Sequence, residues 1–289
     1  MAVILQVNLD GTVLAHDLLD QFSRARGVDS LFINESSRTL SGWGWYCDRT
    51  GCATILIRSD KFPVSNSRGG DGFVRIRSGR VFYVSCYIFL NISIGVLRGR
   101  LAELEDTICV CRENGDLVLA GDFNSKAISW GEPRTDSRGR AVLEMAARLD
   151  LIVMNSGSLA TFRRTGNRGT IIDFTLASSQ MAARVSDWQV LEDYTASYHQ
   201  NVSFTINEEH GTNLRGVPQG RAARWNVAKL NRDLLREAMT SAPPYADLYK
   251  ITNAVEVEAL VEGTMRHVKE WCDTCMPKRT ARRGWRSCC

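Results

Sequence analysis

Runs of apolar and β-branched residues alternate with polar breaks along the first 206 residues of the chain. Ten of these runs, at 2–8, 29–34, 53–58, 72–77, 80–88, 116–121, 151–154, 171–177, 184–191 and 201–206, are short enough to predict strands. Helical periodicity occurs in three places between them. In "VLAHDLLDQFSRARG", Leu14, Leu18, Leu19 and Phe22 share a face and Gly27 stops the pattern. "LRGRLAELEDTICVCRENG" and "SRGRAVLEMAARLDL" read as two further amphipathic helices. A doubly wound sheet needs roughly one helix per strand, and these are too few. The pattern therefore predicts two packed sheets with helices outside.

Beyond Asn207 the pattern changes. "EEHGTNLRGVPQGRAA" is rich in Gly and polar residues and reads as a linker. Two helical patterns follow, "NVAKLNRDLLREAMTSA" and "NAVEVEALVEGTMRHVKEWC", the first with Asn226 as its expected N-cap and ending before Pro243–Pro244. The expected organisation is a domain over 1–208 and a helical appendage over 209–289.

Composition narrows the class. With 289 residues, 44% hydrophobic and 24% charged, the chain can bury a large core. No run approaches the roughly 18–20 apolar residues of a membrane span, and Val3–Val7 lacks the length and charged flank of a signal peptide. An intracellular protein without a membrane partner is expected. Nine scattered cysteines do not form a disulfide framework, so a reducing compartment fits. Cys272 and Cys275 make a lone CxxC, read as two thiols on a late helix rather than half of a zinc site. From Asn207 onward there are 14 Lys/Arg against 10 Asp/Glu, whereas the preceding residues hold 22 of each. The closing "PKRTARRGWRSCC" has five bases and no acid, which suits a polyanion or a solvated linker.

The chemistry lies at strand ends. "LVLAGDFNSKAISWG" runs from an apolar strand through Gly121 into Asp122, Phe123 and Asn124. A carboxylate and a carboxamide two residues apart on extended chain point to one side and could hold a water and a phosphate. Taken alone, G-D-x-N is equally the composition of a turn. Other strands end in kind: "ILQVN" on Asn8, "SLFIN" into Glu35 and "YVSCY" on Tyr87, while "TASYHQNVSF" sets His199 before another strand. Asp173, between Ile171–Ile172 and Phe174, is an acid in an apolar strand and calls for a buried partner, most simply a histidine.

This ordered set resembles the endonuclease/exonuclease/phosphatase family, and more narrowly the apurinic-endonuclease-like domain that opens the polyprotein of non-LTR (LINE-type) retrotransposons. The resemblance spans residues 2–206 through "LQVNL", "FINE", "GDGFVRIRSGRVFYVSCYI", "LAGDFNSKAISWG", "RGRAVLEMAARLDLIVMNSG", "TFRRTGNRGTIIDFTLAS" and "YHQ". "ARWNVAKLNRDLLREAM" resembles the segment that follows in such polyproteins, on the way to a reverse transcriptase this chain does not contain.

The resemblance implies a four-layer α/β sandwich, two mixed sheets flanked by helices, and a Mg²⁺-dependent phosphodiesterase in which Mn²⁺ substitutes. It implies that Glu35 and Asn8 hold the metal, that Asp122 activates the attacking water beside Asn124, and that His199, oriented by Asp173, assists the phosphate together with Tyr87. Trp130, Arg163, Arg164 and Asn91 become candidate DNA contacts, with an ordinary aromatic and a solvated basic turn as the plainer alternative for the first three. The implied partners are double-stranded DNA and a covalently linked reverse transcriptase, the implied place of action the nucleus, and the implied product a nick with a 3′-hydroxyl primer.

Two positions depart from the family pattern. The family reads Ser-Asp-His where this chain has Ser197–Tyr198–His199, and Phe89–Leu90 stand where Ser-Pro is usual before Asn91. The missing acid predicts weak or absent nicking with a high metal requirement, unless Glu192 or Asp193 serves instead. Three functions stay open: a retrotransposon endonuclease, a catalytically degenerate DNA-binding module of the same fold, and a lipid or inositol phosphate phosphodiesterase.

Overall fold

In the computed structural model the described residues are 1–38, 42, 44–207, 229–240 and 254–277. They divide into two compact units, Met1–His210 and Gly211–Cys289.

The first unit is built on two six-stranded sheets. The first sheet contains β1 (Ala2–Asn8), β2 (Ser30–Asn34), β3 (Trp45–Cys47), β4 (Ala53–Ile57), β11 (Val185–Val190) and β12 (Val202–Ile206), in the order β11-β12-β1-β2-β4-β3. The second contains β5 (Val64–Gly69), β6 (Phe73–Ser78), β7 (Val81–Tyr87), β8 (Asp116–Asp122), β9 (Leu151–Val153) and β10 (Asp173–Ser178), in the order β5-β6-β7-β8-β10-β9. Each sheet is mixed. β1 runs parallel to β2 and β7 parallel to β8, while the other pairs are antiparallel.

The central strands read as near-continuous apolar runs because both faces are covered. Ile4, Phe32, Ile55, Val74, Ile76, Tyr83, Val118 and Phe204 meet between the sheets. On the outer face of the second sheet, α2 (Ile94–Asn114) and α3 (Ser137–Arg148) bury Leu97, Leu101, Leu104, Ile108, Val142 and Met145 against Leu117, Leu119 and Leu176. On the outer face of the first, α1 (Val13–Ala25) packs Ala15 and Leu19 against Leu5, Val7, Leu31 and Ile33. A one-turn helix, α4 (Ser179–Ala182), follows β10. The four-layer α/β sandwich is the observed fold.

Three details differ from the sequence expectation. β3 and β5 were not expected. Both are edge strands, and β5 is mostly exposed with the polar sequence VSNSRG, so burial imposes no alternation and pairing with β6 alone makes it a strand. On α1 the buried face is rotated from the expected one: Leu14 is 54% exposed, and Ser23 is buried with its hydroxyl donating to the Leu19 carbonyl at 2.7 Å. A serine whose hydroxyl is satisfied within its own helix packs like a small apolar residue, which pattern reading does not anticipate.

In the second unit α5 (Arg232–Thr240) packs against α6 (Ala254–Cys275). Asn231 caps α5, its Oδ1 accepting from the Asp233 and Leu234 amides at 3.1 Å. The linker expected from residue 208, the N-cap expected at Asn226, Pro243–Pro244 and the basic tail lie outside the described residues. Cys272 and Cys275 are free thiols on α6, with no metal-ligating group of three around them among the described residues. No described helix is long and apolar enough to cross a membrane.

We expect a fragment ending at residue 208 to fold alone, since both sheets and all three core clusters lie before that point. Its thermal midpoint should match the first transition of the full chain. A fragment that fails to unfold cooperatively would show that the later residues are needed.

Candidate active site

Parallel register brings the polar strand ends together. Asn8 lies beside Asn34 at the ends of β1 and β2, and Tyr87 beside Asp122 at the ends of β7 and β8. Antiparallel pairing of β10 then sets Asp173 directly opposite Asp122. Tyr87, Asp122 and Asp173 therefore stand in one row across the second sheet, facing Asn8 and Asn34 from the first.

Gly121 is needed for this row. It sits at φ +150°, and a Cβ there would lie 1.9 Å from the Cys86 carbonyl oxygen, so any other residue would push β8 away from β7 just before Asp122. Buried carboxamides stitch the two sheets at the same level. Gln6 donates to the Gly121 carbonyl at 3.1 Å and accepts from the Thr175 hydroxyl at 3.1 Å, while Asn34 Oδ1 accepts from the Asp122 amide at 3.0 Å.

Asp122 is the hub. Its Oδ2 accepts from Asn8 Nδ2 at 3.0 Å and from Asn124 Nδ2 at 3.2 Å, and its Oδ1 accepts from the Asn124 amide at 2.8 Å. Burial and the nearby charge of Asp173 push its pKa up to about 8, against the opposing pull of His199. Glu35 leaves β2 with left-handed backbone, φ +49°, its amide N–H donating to the Cys52 carbonyl at 3.0 Å. Its carboxylate accepts from Asn8 Nδ2 at 2.9 Å and, in a short bond, from the Tyr87 hydroxyl. Burial, and then that bond, hold the Tyr87 hydroxyl firmly protonated.

His199 completes the group. Its Nδ1 is 2.9 Å from Asp173 Oδ2 and its Nε2 is 4.0 Å from Asp122 Oδ2. Burial disfavours a charge on the ring, but Asp173, Asp122 and Glu35 outweigh it and raise the pKa to about 9. The raised pKa favours the imidazolium, whose Nε2 lies on the Asp122 side. Thr161 Oγ1 anchors the approach to β10 by accepting from the Ile172 and Asp173 amides, each at 3.1 Å.

Glu35, Asp122 and His199 each offer a ligand atom within 4.8 Å of the others. The donor set fits a hard divalent cation, because two carboxylates converge there and the histidine Nδ1 is committed to Asp173. Asn8, expected as a ligand, here bridges the two carboxylates through its NH₂ while its Oδ1 accepts from the Asp10 amide at 2.8 Å.

All seven residues expected at the reaction centre are brought together; the four expected DNA contacts are not. Trp130 is 2% exposed and stacks on Phe174 with centroids 4.3 Å apart, so it cannot touch DNA. It follows a strand closely enough that the short turn Ile128–Trp130 folds it back into the core. Arg163 pairs with Glu192 at 3.1 Å. Arg164 lies over the Tyr198 ring at 5.7 Å and is near enough to Asp10 to act on its charge. Asn91 is exposed. Of the alternative acids, Glu192 pairs with Arg163 and Asp193 with Arg26 at 2.9 Å, both on the exposed surface.

Sequence reading missed several participants. Asp10, in left-handed backbone at φ +49°, carries a carboxylate that acts on both Glu35 and His199; burial raises its pKa and His199 lowers it. Ser197 Oγ donates to the Asn8 carbonyl at 2.8 Å and accepts from the His199 amide at 3.0 Å, fixing the histidine loop to β1. The Asn-Leu-Asp-Gly and Thr-Ala-Ser-Tyr segments both look like turns.

Residues 81–203 match the endonuclease-reverse transcriptase family model. No curated protein matches the sequence. Three solved structures are similar over 72% of this chain and 100% of their own lengths. They are the endonuclease domain of TRAS1, a telomere-specific non-LTR retrotransposon (23% identity, TM-score 0.62), the 3′ phosphatase NExo from Neisseria bound to product DNA hairpin (17%, 0.57) and an AP endonuclease from Archaeoglobus fulgidus (15%, 0.57). Residues 81–203 therefore match the endonuclease-reverse transcriptase family model within a domain that shares its fold with the TRAS1 endonuclease domain.

Proposed function

We propose that the first unit is a divalent-metal-dependent DNA endonuclease of a non-LTR retrotransposon, which nicks duplex DNA to leave a 3′-hydroxyl primer for a linked reverse transcriptase. The observation that carries this reading is the Asp173–His199–Asp122 relay beside Glu35, a buried charged set for which the fold alone has no use. Action on chromosomal DNA places the protein in the nucleus at that step.

Asp122, held by the Asn124 amide on Oδ1 and by the Asn8 and Asn124 side chains on Oδ2, takes the proton of the attacking water. Asn124, whose Nδ2 donates to Asp122 and to the Ile88 carbonyl at 3.1 Å, keeps Oδ1 to accept from the attacking water. His199, kept cationic and fixed in direction by Asp173, donates to a non-bridging oxygen as negative charge grows there. Tyr87 donates its hydroxyl to Glu35 and steadies that carboxylate. Glu35 with Asp122 would hold Mg²⁺ or Mn²⁺, which when bound supplies Lewis-acid neutralisation of the phosphate and the leaving oxygen. Arg164 and Asn91, both exposed, remain the candidates to meet the DNA backbone.

Tyr198 bears on the metal rather than on the fold. It is 46% exposed, edge-on to Phe162, with Arg164 over its ring, so it adds no charge to the centre. Asp10 is the carboxylate that partly fills that role. Tyr198→Asp is expected to lower the Mg²⁺ concentration for half-maximal nicking about tenfold, and Asp10→Asn to raise it about 10- to 100-fold. A Mg²⁺ titration that neither change moves would remove both residues from the metal account.

The reading is tested by incubating the full chain with supercoiled plasmid, in Mg²⁺ and in EDTA, beside phosphoinositide vesicles. Open-circle product in Mg²⁺ alone, with no headgroup phosphate released, is expected. Tight DNA binding without product in Mg²⁺ or Mn²⁺ would instead support the non-cutting module, for which Tyr198 is the motivating residue.

A further inference from the structure

Arg138, in the first turn of α3, sits in an unusual place for a cation. Positive charge near a helix N-terminus opposes the helix dipole. Its guanidinium donates only to main-chain carbonyls: Nε to Asn124 at 2.7 Å, Nη2 to Phe89 at 2.9 Å, and Nη1 to Leu90 at 3.3 Å and Ile92 at 3.4 Å. Those carbonyls belong to two separate loops. One follows Tyr87 at the end of β7, and the other carries Asn124 after β8.

The helix that bears Arg138 is itself fastened to the second loop. The Asp136 amide donates to the Lys126 carbonyl at 3.0 Å, and Asp136 Oδ1 accepts from the Gly139 amide at 2.6 Å. A Cβ at Gly139 would lie 1.9 Å from the Lys126 carbonyl oxygen, so only glycine permits this approach. Asn124 needs such support, because its backbone is left-handed at φ +45° and its side chain is shared between Asp122 and Ile88.

We propose that Arg138 is a positioning residue of the active site, a clamp that fixes the Asn124 loop to the Phe89–Ile92 loop so that Asn124 and Asn91 meet the same phosphodiester segment. The inference rests on the endonuclease reading above. It also accounts for Phe89–Leu90 in the place of Ser-Pro: the loop's course is held through three of its carbonyls, whatever side chains they carry. Arg is required because a planar fork reaches carbonyls on both loops at once, whereas a lysine ammonium is a single point.

Full-length Arg138→Gln and Arg138→Lys test the clamp. At saturating DNA the rate of nicking should fall by about 10²-fold in Arg138→Gln, as expected for misplaced reacting groups, with KM nearly unchanged and partial recovery in Arg138→Lys. Added to Asn124→Ala, Arg138→Gln should cost little more, because it acts through Asn124. Amide hydrogen exchange should quicken at residues 88–93 and 124–127 without a general loss of protection. Wild-type kcat in Arg138→Gln, full additivity with Asn124→Ala, or unchanged exchange in both loops would overturn the inference. If the wild-type chain nicks no DNA, the endonuclease reading fails by itself, and the exchange measurement still decides the clamp.

Discussion

Asp122→Asn is expected to lower the nicking rate by about 10²- to 10⁴-fold, the range for loss of a positioned general base, without lowering thermal stability. The carboxylate is completely buried against Asp173, and burial of its charge is the first cause of its raised pKa. A neutral isostere removes that cost and can still accept from one of the two asparagine side chains that now converge on Oδ2. Activity and stability should therefore move in opposite directions, as they do where function is bought with strain. Melting curves in EDTA beside single-turnover nicking in Mg²⁺ check this. A large fall in the midpoint would make Asp122 a structural residue first.

Asp173→Asn and His199→Ala should each lower nicking by about 10²- to 10³-fold, the usual effect of removing a donor to a developing oxyanion. Asp173 lies behind His199, with its Oδ2 2.9 Å from Nδ1, and does not face the phosphate side of the ring. An Asn there no longer stabilises the imidazolium, so the two single variants should resemble each other and their combination should add little. DNA affinity should stay nearly constant in all three, because the contact strengthens only in the transition state. Independent, multiplying losses would show that Asp173 acts on the substrate by some other route.

The residues of the reaction centre were legible because each ends or enters an apolar strand, and parallel register turns sequence position into spatial neighbourhood. Asn8 with Asn34 and Tyr87 with Asp122 are such pairs. Asp173 announced itself by sitting in an apolar run, and its partner is the histidine that chemistry required. Trp130 was misjudged for a physical reason: an aromatic just past a strand looks exposed, yet a tight turn returns it to stack on Phe174, which in turn stacks on Phe123. Ser197 and Arg138 were not legible because their roles run through backbone carbonyls of other segments, and side-chain pattern carries no trace of which carbonyl will lie nearby; Asp10 was not because a turn sequence does not say where its carboxylate points. The same limit hid β5, whose polar edge strand is specified by its neighbour alone.

The central claim is that these strand ends form a metal-dependent phosphodiester-cleaving site. Its most direct test is to nick supercoiled plasmid with the full chain across a Mg²⁺ titration, with Asp122→Asn as the blank, and then offer the product to a DNA polymerase and labelled nucleotides. The account predicts open-circle DNA that forms only with the divalent cation and the wild-type chain, and that the polymerase extends without further treatment because the nick ends in a 3′-hydroxyl. Product formed equally in EDTA, equally by Asp122→Asn, or carrying a blocked 3′ end would contradict it.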